Sequence, residues 1–186
     1  MRKFFMTLAV AVVAMSASAQ VYVGGNFGVS SHKVEGFDSK TEYALLPEVG
    51  YNFNNSWAVG TTIGFGKGNP MNNGDEASLR NFFTVKPYAR YTFLHTKYVN
   101  VFGDLGIGYT HYNHADASTP MSINAWEAGI RPGVSVNLSS KLSFVAHVGL
   151  LGWQQAKYAD TSKGKTTDWG LSLNGNNLTF GLYYNF

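Results

Sequence analysis

Apolar and polar residues alternate with a period of two along most of this 186-residue chain. Between Thr41 and Phe53 the odd positions are apolar or aromatic, and the even positions include Glu42, Glu48 and Asn52. Strict alternation of this kind is typical of a β-strand with two different faces. The pattern occurs in eight segments, roughly 21–30, 41–53, 57–66, 83–93, 99–109, 126–138, 142–150 and 178–186. No amphipathic helix competes with them, so the sequence predicts an all-β fold.

Short turns and long loops alternate between these segments. The predicted turns are Asn54-Asn55, Leu94 to Lys97 and Ser139-Ser140. The predicted loops cover roughly residues 31 to 41, 67 to 80, 112 to 123 and 155 to 168, and they are rich in Asn, Gly, Ser, Thr, Asp and Lys. Short turns join neighbouring antiparallel strands into hairpins. Because short turns and long loops alternate, the long loops are all predicted to lie at the same end of the strands.

The residue types on the two strand faces decide which face points inward. Charged residues make up 13% of the chain, half of the roughly 25% that soluble domains carry. The polar face carries mainly Gly, Ala, Ser and Thr with one or two charges per strand, which suits a crowded lumen better than water. Lipid requires that every backbone group be paired, and a closed barrel achieves this. We therefore predict an eight-stranded antiparallel up-and-down transmembrane β-barrel with short periplasmic turns and long extracellular loops. A soluble lipocalin-like barrel is the architectural rival.

The first 19 residues have the features of a secretory signal peptide. Arg2 and Lys3 precede an apolar run from Phe4 to Ala14, and the small residues that follow end at Ala19. The apolar run is shorter than the roughly 20 residues that a transmembrane helix needs. The sequence therefore predicts a signal peptide at 1–19 and a barrel domain at 20–186.

The charged residues of the strands lie mostly at the alternating positions that are predicted to face inward. They are Glu42, Glu48, Lys86, Arg90, Asp104, Glu127 and Arg131, with His147 beside them. Buried charges need partners to offset the cost of leaving water, and an eight-stranded barrel has room for side chains and little else. We predict an ion-paired network that fills the lumen. A water-conducting pore and acid–base catalysis by a carboxylate pair are the alternatives.

Composition excludes several other functions. The absence of Cys excludes a disulfide scaffold, a Cys-ligated metal site and the lipidated Cys of a bacterial lipoprotein. Loss of Arg2 and Lys3 with the signal peptide lowers the 14 basic residues to 12, against 11 acidic ones. Because the remaining Lys and Arg are thinly spread, no nucleic-acid partner is expected.

The remaining short motifs carry little weight. Lys163-Gly164-Lys165-Thr166 contains a GKT, but Ala159 stands where a phosphate-binding loop requires Gly. Gly103-x-x-Gly106-x-Gly108 lies within an alternating segment and precedes no helix, so it indicates close packing. His111 and His114 form an H-x-x-H pair with no third metal ligand nearby in sequence. We expect no cofactor and no metal.

Three features of the sequence occur together: the last nine residues, Leu178 to Phe186, the eight alternating segments and the signal peptide. Together they resemble the small eight-stranded outer-membrane barrels of Gram-negative bacteria, the group of the OmpA transmembrane domain and OmpX. The resemblance covers residues 20 to 186. In that family the barrel assembly machinery recognises the closing strand. The resemblance therefore implies that Phe180, Leu182, Tyr184 and Phe186 form the recognition signal. The presence of Gln20 directly after the cleavage site also resembles the arrangement in secreted proteins of Bacteroidetes.

The resemblance implies an outer-membrane protein surrounded by outer-membrane lipids and lipopolysaccharide. It further implies a non-enzymatic role, envelope-structural or adhesion-like, with a surface partner bound by the loops. The candidate loop residues are Lys33, Lys67, Asp75, Glu76, Asp116, Lys157, Asp160, Lys163 and Lys165. Two alternatives stay open, a small-solute channel and a lipid-modifying enzyme that would use His111 with Ser118 or Ser122.

Overall fold

The computed structural model describes residues 20–32, 40–68, 80–113, 122–158, 165–172 and 178–186, so the predicted signal peptide lies outside the described residues. Within these ranges every regular element is a strand. The strands are β1 (Val21–His32), β2 (Lys40–Asn52), β3 (Trp57–Lys67), β4 (Asn81–His95), β5 (Val99–Tyr112), β6 (Ile123–Asn137), β7 (Leu142–Val148), β8 (Leu150–Tyr158), β9 (Lys165–Ser172) and β10 (Leu178–Asn185). The described part of the chain contains no helix with the length and apolarity needed to cross a membrane.

Antiparallel pairing closes the strands into a ring. β1 to β6 pair in sequence order, β6 pairs with β7, β7 with β10, and β10 with β1. β8 continues the line of β7 along β6, and β9 pairs with β8. The ring therefore has eight strands around its circumference, as predicted, because β7 with β8 and β9 with β10 each form one interrupted strand.

Side-chain oxygens fix the three short turns. Asn54 Oδ1 accepts hydrogen bonds from the backbone N–H groups of Ser56 and Trp57, at 2.8 and 2.9 Å. Thr96 Oγ1 accepts from the N–H of Val99 at 2.9 Å, and Ser139 Oγ accepts from the N–H of Leu142 at 3.0 Å. Asn, Ser and Thr favour turns because they satisfy backbone donors that a strand partner does not reach.

A one-residue bulge at Gly149 interrupts the seventh wall strand. His147 is the partner of Gly133 on β6, whereas Leu151 is the partner of Ile130, so the β7–β8 side carries one residue more than β6. Gly149 has a φ of 70°, a conformation that favours glycine. The extra residue reverses the facing of the side chains that follow. Simple alternation through 142–150 predicts that Leu150 shares the outward face of Leu142 and Phe144, and this is wrong, since its side chain is 7% exposed and contributes to the lumen wall.

The last hairpin is longer than the sequence indicated. The predicted loop at 155–168 is wrong at both ends, because β8 runs to Tyr158 and β9 begins at Lys165. Lys157 and Lys165 are cross-strand partners at the tip of this hairpin. Alternation is weak here because Gln154, Gln155, Thr166 and Thr167 place polar residues on both faces.

The apolar side chains at alternating positions of the strands point outward. Leu105 is 61% exposed in the middle of β5, and Ile107 follows it on the same face. Their neighbours Asp104, Gly106 and Gly108 line or face the lumen. The outward band of large apolar side chains is what a lipid environment requires.

Candidate functional site

Arg90 and Asp104 form the centre of the lumen. They are direct partners on β4 and β5, and both side chains are buried. Arg90 Nε donates to Asp104 Oδ1 at 2.7 Å, and Arg90 Nη2 donates to Asp104 Oδ2 at 2.8 Å. Two parallel charge-assisted hydrogen bonds are the strongest arrangement available to this pair of groups.

Two further polar groups bridge the lumen to this pair. His147 Nε2, on β7, lies 3.0 Å from Asp104 Oδ2 and 3.4 Å from Arg90 Nη2. Glu48 Oε1, on β2, lies 3.5 Å from Arg90 Nη2 and accepts a hydrogen bond from the Tyr88 hydroxyl. Strands on opposite sides of the barrel are thus linked through one guanidinium.

Aromatic rings surround the same guanidinium. Its Cζ atom lies 4.0 Å from the centroid of the Phe102 ring, 5.2 Å from Tyr88, 5.4 Å from Tyr183 and 5.6 Å from Tyr22. Cations over aromatic faces are attracted to the ring quadrupole, most strongly away from water. Tyr22 and Tyr183 stack on each other with their centroids 5.7 Å apart. The hydroxyl groups of Tyr22 and Tyr88 are 2.5 Å apart.

We call this assembly the Arg90 plug. Its members are Tyr22, Glu48, Tyr88, Arg90, Phe102, Asp104, His147 and Tyr183. The alternating pattern predicts Glu48, Arg90, Asp104 and His147 at inward positions, whereas the lumen role of the four rings of Tyr22, Tyr88, Phe102 and Tyr183 is not predicted. The four rings also lie at alternating positions that face inward, so the sequence contains a signal for their orientation. Alternation does not distinguish a ring that fills the lumen from any other inward side chain.

Inward glycines make room for the plug. A Cβ on Gly133 would overlap the Phe102 ring, and a Cβ on Gly50 or Gly60 would overlap the Tyr22 or Tyr88 side chain. Large and small side chains therefore alternate across the lumen, which is how a narrow barrel is filled by its own side chains.

A second ion-paired group lies beside a polar cavity. Lys86 Nζ is 2.9 Å from Glu127 Oε1, and Arg131 Nη2 donates to the same oxygen. We call these three residues the Glu127 cluster. They line a cavity of about 180 Å³ in the lumen, together with Asn26 and Gln154. Four members of the Arg90 plug, Glu48, Tyr88, Asp104 and His147, line the same cavity, so the cavity borders the plug.

Glu42, the remaining predicted lumen residue, lies farther along β2. It is buried on the inward face of β2, six positions before Glu48 along the chain. Its position lies toward the end of the barrel at which the predicted long loops connect the strands.

The candidate metal and enzyme residues occupy other places. His111 Nδ1 lies 2.6 Å from Asn124 Oδ1, which also accepts a hydrogen bond from the Tyr109 hydroxyl at 2.9 Å. His114 and Ser118 lie outside the described residues, and Ser122 is buried. Within the described ranges no three His, Asp or Glu side chains are grouped so as to hold a metal ion.

The candidate loop residues are distributed differently from the prediction. Lys67, Lys157 and Lys165 belong to strands β3, β8 and β9 and pair across the sheet with Asn81 or with each other. Six of the candidates lie outside the described residues, namely Lys33, Asp75, Glu76, Asp116, Asp160 and Lys163. Gly103, Gly106 and Gly108 lie within β5, and Lys165 and Thr166 of the GKT motif begin β9.

The predicted assembly signal forms one outward-facing row. Phe180, Leu182 and Tyr184 are exposed on β10, and the Phe186 ring packs edge-on against Tyr184 with centroids 5.1 Å apart. β10 pairs with β1, where Tyr184 opposes Val23, so this strand closes the ring.

An apolar outer band, a closed ring of eight antiparallel strands and an ion-paired lumen define a small transmembrane β-barrel of the bacterial outer-membrane type. The model of the family described as the outer membrane protein beta-barrel domain matches residues 4–186, and the chain belongs to this family. It is therefore a protein of the cell outer membrane. The Bacteroidetes origin stays a prediction.

Solved structures show the same architecture at low sequence identity. Neisserial surface protein A is 14% identical, with a TM-score of 0.53 over 91% of this chain and 98% of that one. The outer membrane protein OprG from Pseudomonas aeruginosa is 18% identical, with a TM-score of 0.50 over 90% of this chain and 96% of that one. No curated protein matches the chain. At these identities the likeness concerns the fold alone.

Proposed function

We propose that this protein is a closed, non-enzymatic barrel of the outer membrane, with an envelope-structural role and a surface partner bound by its loops. The observation that carries the proposal is the Arg90 plug. A conducting pore needs a continuous aqueous path, and here a bidentate Arg90–Asp104 pair enclosed by Phe102 and tyrosine rings occupies the lumen.

The plug is stable for electrostatic reasons. An unpaired charge in a space with little water is costly, but each charge here has a partner of opposite sign. Arg90 contacts both Asp104 and Glu48, and Asp104 contacts both Arg90 and His147. Opening a pore at this level would separate several of these contacts at once, so the closed state is favoured.

The surroundings of the barrel follow from its outer face. We infer that outer-membrane lipids and lipopolysaccharide contact the exposed apolar band, to which Leu105 and Ile107 belong. The barrel assembly machinery would read the row of Phe180, Leu182 and Tyr184 on β10. The short turns would then face the periplasm and the longer connections the cell exterior.

Conductance in planar lipid bilayers tests the closed lumen. The folded wild-type protein should give no steady single-channel current, and a Lys141→Gln variant, changed at an exposed turn, should behave in the same way. A steady wild-type current whose size shifts in Arg131→Ala would overturn the proposal in favour of a small-solute channel.

A lipid hydrolysis assay tests the non-enzymatic part. Under this proposal, purified protein mixed with lipopolysaccharide or phospholipid should release no fatty acid. Deacylase activity of the wild type that is lost in His111→Ala would overturn this part and assign a lipid-modifying enzyme.

A further inference from the structure

Two short turns lie side by side at one end of the barrel. One joins β4 to β5 and contains Lys97, and the other joins β6 to β7 and contains Lys141. Because β5 pairs with β6, the Asn137 backbone N–H donates to the Tyr98 carbonyl oxygen at 2.7 Å. The Asn137 side-chain amide also donates to the Lys97 carbonyl oxygen at 3.3 Å. The two lysines are attached to the wall two strand spacings apart, or about 10 Å.

Each of these lysines lies over a tyrosine ring. Lys97 Nζ is 5.3 Å from the centroid of the Tyr98 ring, and Lys141 Nζ is 5.7 Å from that of Tyr184. Tyr98 is exposed, and Tyr184 belongs to the outward row of β10. Tyrosines at the ends of barrel strands mark the boundary between apolar lipid and water. The two ammonium groups therefore lie at the level at which lipid headgroups meet the barrel.

An apolar surface separates the two lysines. Leu138 is 56% exposed, and its N–H donates at 2.9 Å to the carbonyl oxygen of Leu142, the first residue of β7. Val136 and Phe144 are cross-strand partners that are exposed on the same outward face, farther from the turns. An acyl chain that lies along these side chains would have its headgroup beside the lysines.

The described residues that form this end of the barrel are free of acidic side chains. They are residues 20–23, 50–58, 91–101, 135–143 and 184–186, and none of them is Asp or Glu. Asp104 faces the lumen and is paired there with Arg90. The face of a tyrosine ring attracts an ammonium group, but its three N–H donors still need acceptors. An anion at the membrane surface satisfies both the charge and these donors.

We propose that the two turns bind an anionic phospholipid, with Lys97 and Lys141 at its headgroup and with Leu138 and Leu142 against its acyl chains. We call this site, with Tyr98 and Tyr184, the lysine rim. The proposal rests on the orientation proposed above, because turns that face the periplasm meet the inner leaflet of the outer membrane. Binding on the outer wall leaves the Arg90 plug closed, so variants of the rim still carry no current.

A fluorophore attached at Ser140→Cys monitors the lysine rim, because the chain has no other Cys. The full chain is folded into phosphatidylcholine nanodiscs. Phosphatidylglycerol or phosphatidylcholine, each with the same nitroxide-labelled acyl chain, is then titrated in as the quencher. We expect the association constant of phosphatidylglycerol to exceed that of phosphatidylcholine about 25-fold, since each lysine at an anionic headgroup adds about fivefold. A fluorophore at Asn55→Cys, on another turn at the same end, should show no such preference.

Loss of one lysine should lower the preference for phosphatidylglycerol about fivefold, in Lys97→Gln as in Lys141→Gln, and loss of both should abolish it. Lys157→Gln removes an exposed lysine at the other end of the barrel and should keep the preference. Heat-modifiable gel migration verifies that each variant is folded. If a glutamine variant does not fold, a salt titration of the wild type replaces it, and the preference should fall as ionic strength rises.

Equal quenching by the two lipids at Ser140→Cys would overturn the proposal. A preference that survives the loss of both lysines, or that is equally strong at Asn55→Cys, would overturn it as well. Nanodiscs present the same lipids to both ends of the barrel. The outcome is therefore independent of which end faces the periplasm and of whether the lumen conducts.

Discussion

Arg90 and Asp104 lie opposite each other on neighbouring strands, and the guanidinium of Arg90 donates to both oxygens of the Asp104 carboxylate at 2.7 and 2.8 Å. The Phe102 ring lies 4.0 Å from the same guanidinium. This pair is the point at which strands from both sides of the barrel are connected.

Replacing Asp104 by Ala should destabilise the barrel strongly. The substitution leaves the buried Arg90 guanidinium without its bidentate partner, and loss of one member of a buried ion pair costs about 3–5 kcal/mol. The midpoint of urea unfolding in lipid vesicles, followed by tryptophan fluorescence, measures this change. Asp168→Asn, at an exposed position on β9, is the matched control and should shift stability by less than about 0.5 kcal/mol. Equal shifts would show that the ion pair has no special role.

A methyl group added at Gly133 should interfere with the plug. An alanine Cβ at this position overlaps the Phe102 ring, whereas a Cβ on Gly103 comes no closer than 3.4 Å to another side chain, that of Ile130. Overpacking of this kind costs about 1–3 kcal/mol. We expect Gly133→Ala to unfold at lower urea concentration than Gly103→Ala in the same vesicles. The reverse order would contradict the packing described for the lumen.

A charge on the outer face should be poorly tolerated. Leu105 points outward from the middle of β5, so Leu105→Arg places a guanidinium in the apolar band, at a cost of about 2–4 kcal/mol near the bilayer centre. Ser140→Arg, in an exposed turn, should have little effect. Folding yield into vesicles and urea midpoints compare the two variants. Tolerance of Arg at position 105 would place this face in water.

Backbone amides should exchange unevenly around the ring. β5 is paired on both sides, with β4 and β6, whereas β9 pairs with β8 alone among the residues that the structure describes. Hydrogen exchange of the nanodisc-embedded protein should therefore be faster in Lys165–Ser172 than in Val99–Tyr112, because unpaired N–H groups at an edge are not protected. Equal protection in both strands would mean that β9 has a second partner in the membrane.

Alternation predicts most of the strands and the faces of their side chains. The pattern puts Glu48, Arg90 and Asp104 on the inward face of their strands, and the structure brings them into one group. The outward position of Leu105 and Ile107 follows from the same rule. The rule works because side chains of a strand point alternately to its two faces, whatever the partner strand is.

Alternation does not predict which side chains contact each other across the lumen. Arg90 and His147 meet across the lumen although they are 57 residues apart in sequence, and a face assignment says nothing about such a contact. The reversal at Gly149 was missed because a bulge adds one residue without leaving a gap in the hydrophobic pattern. The β8–β9 hairpin was missed because its strands carry polar residues on both faces, which is typical of a loop.

The apolar face of these eight strands meets lipid, and the charged face is enclosed in the lumen. Fractionation of cell envelopes, followed by gel migration with and without boiling, is the direct test of this arrangement. We expect the chain in the outer-membrane fraction, and we expect it to migrate anomalously until it is boiled, as a folded barrel does. A folded chain that stays in the aqueous phase without detergent, and whose migration is unchanged by boiling, would contradict it.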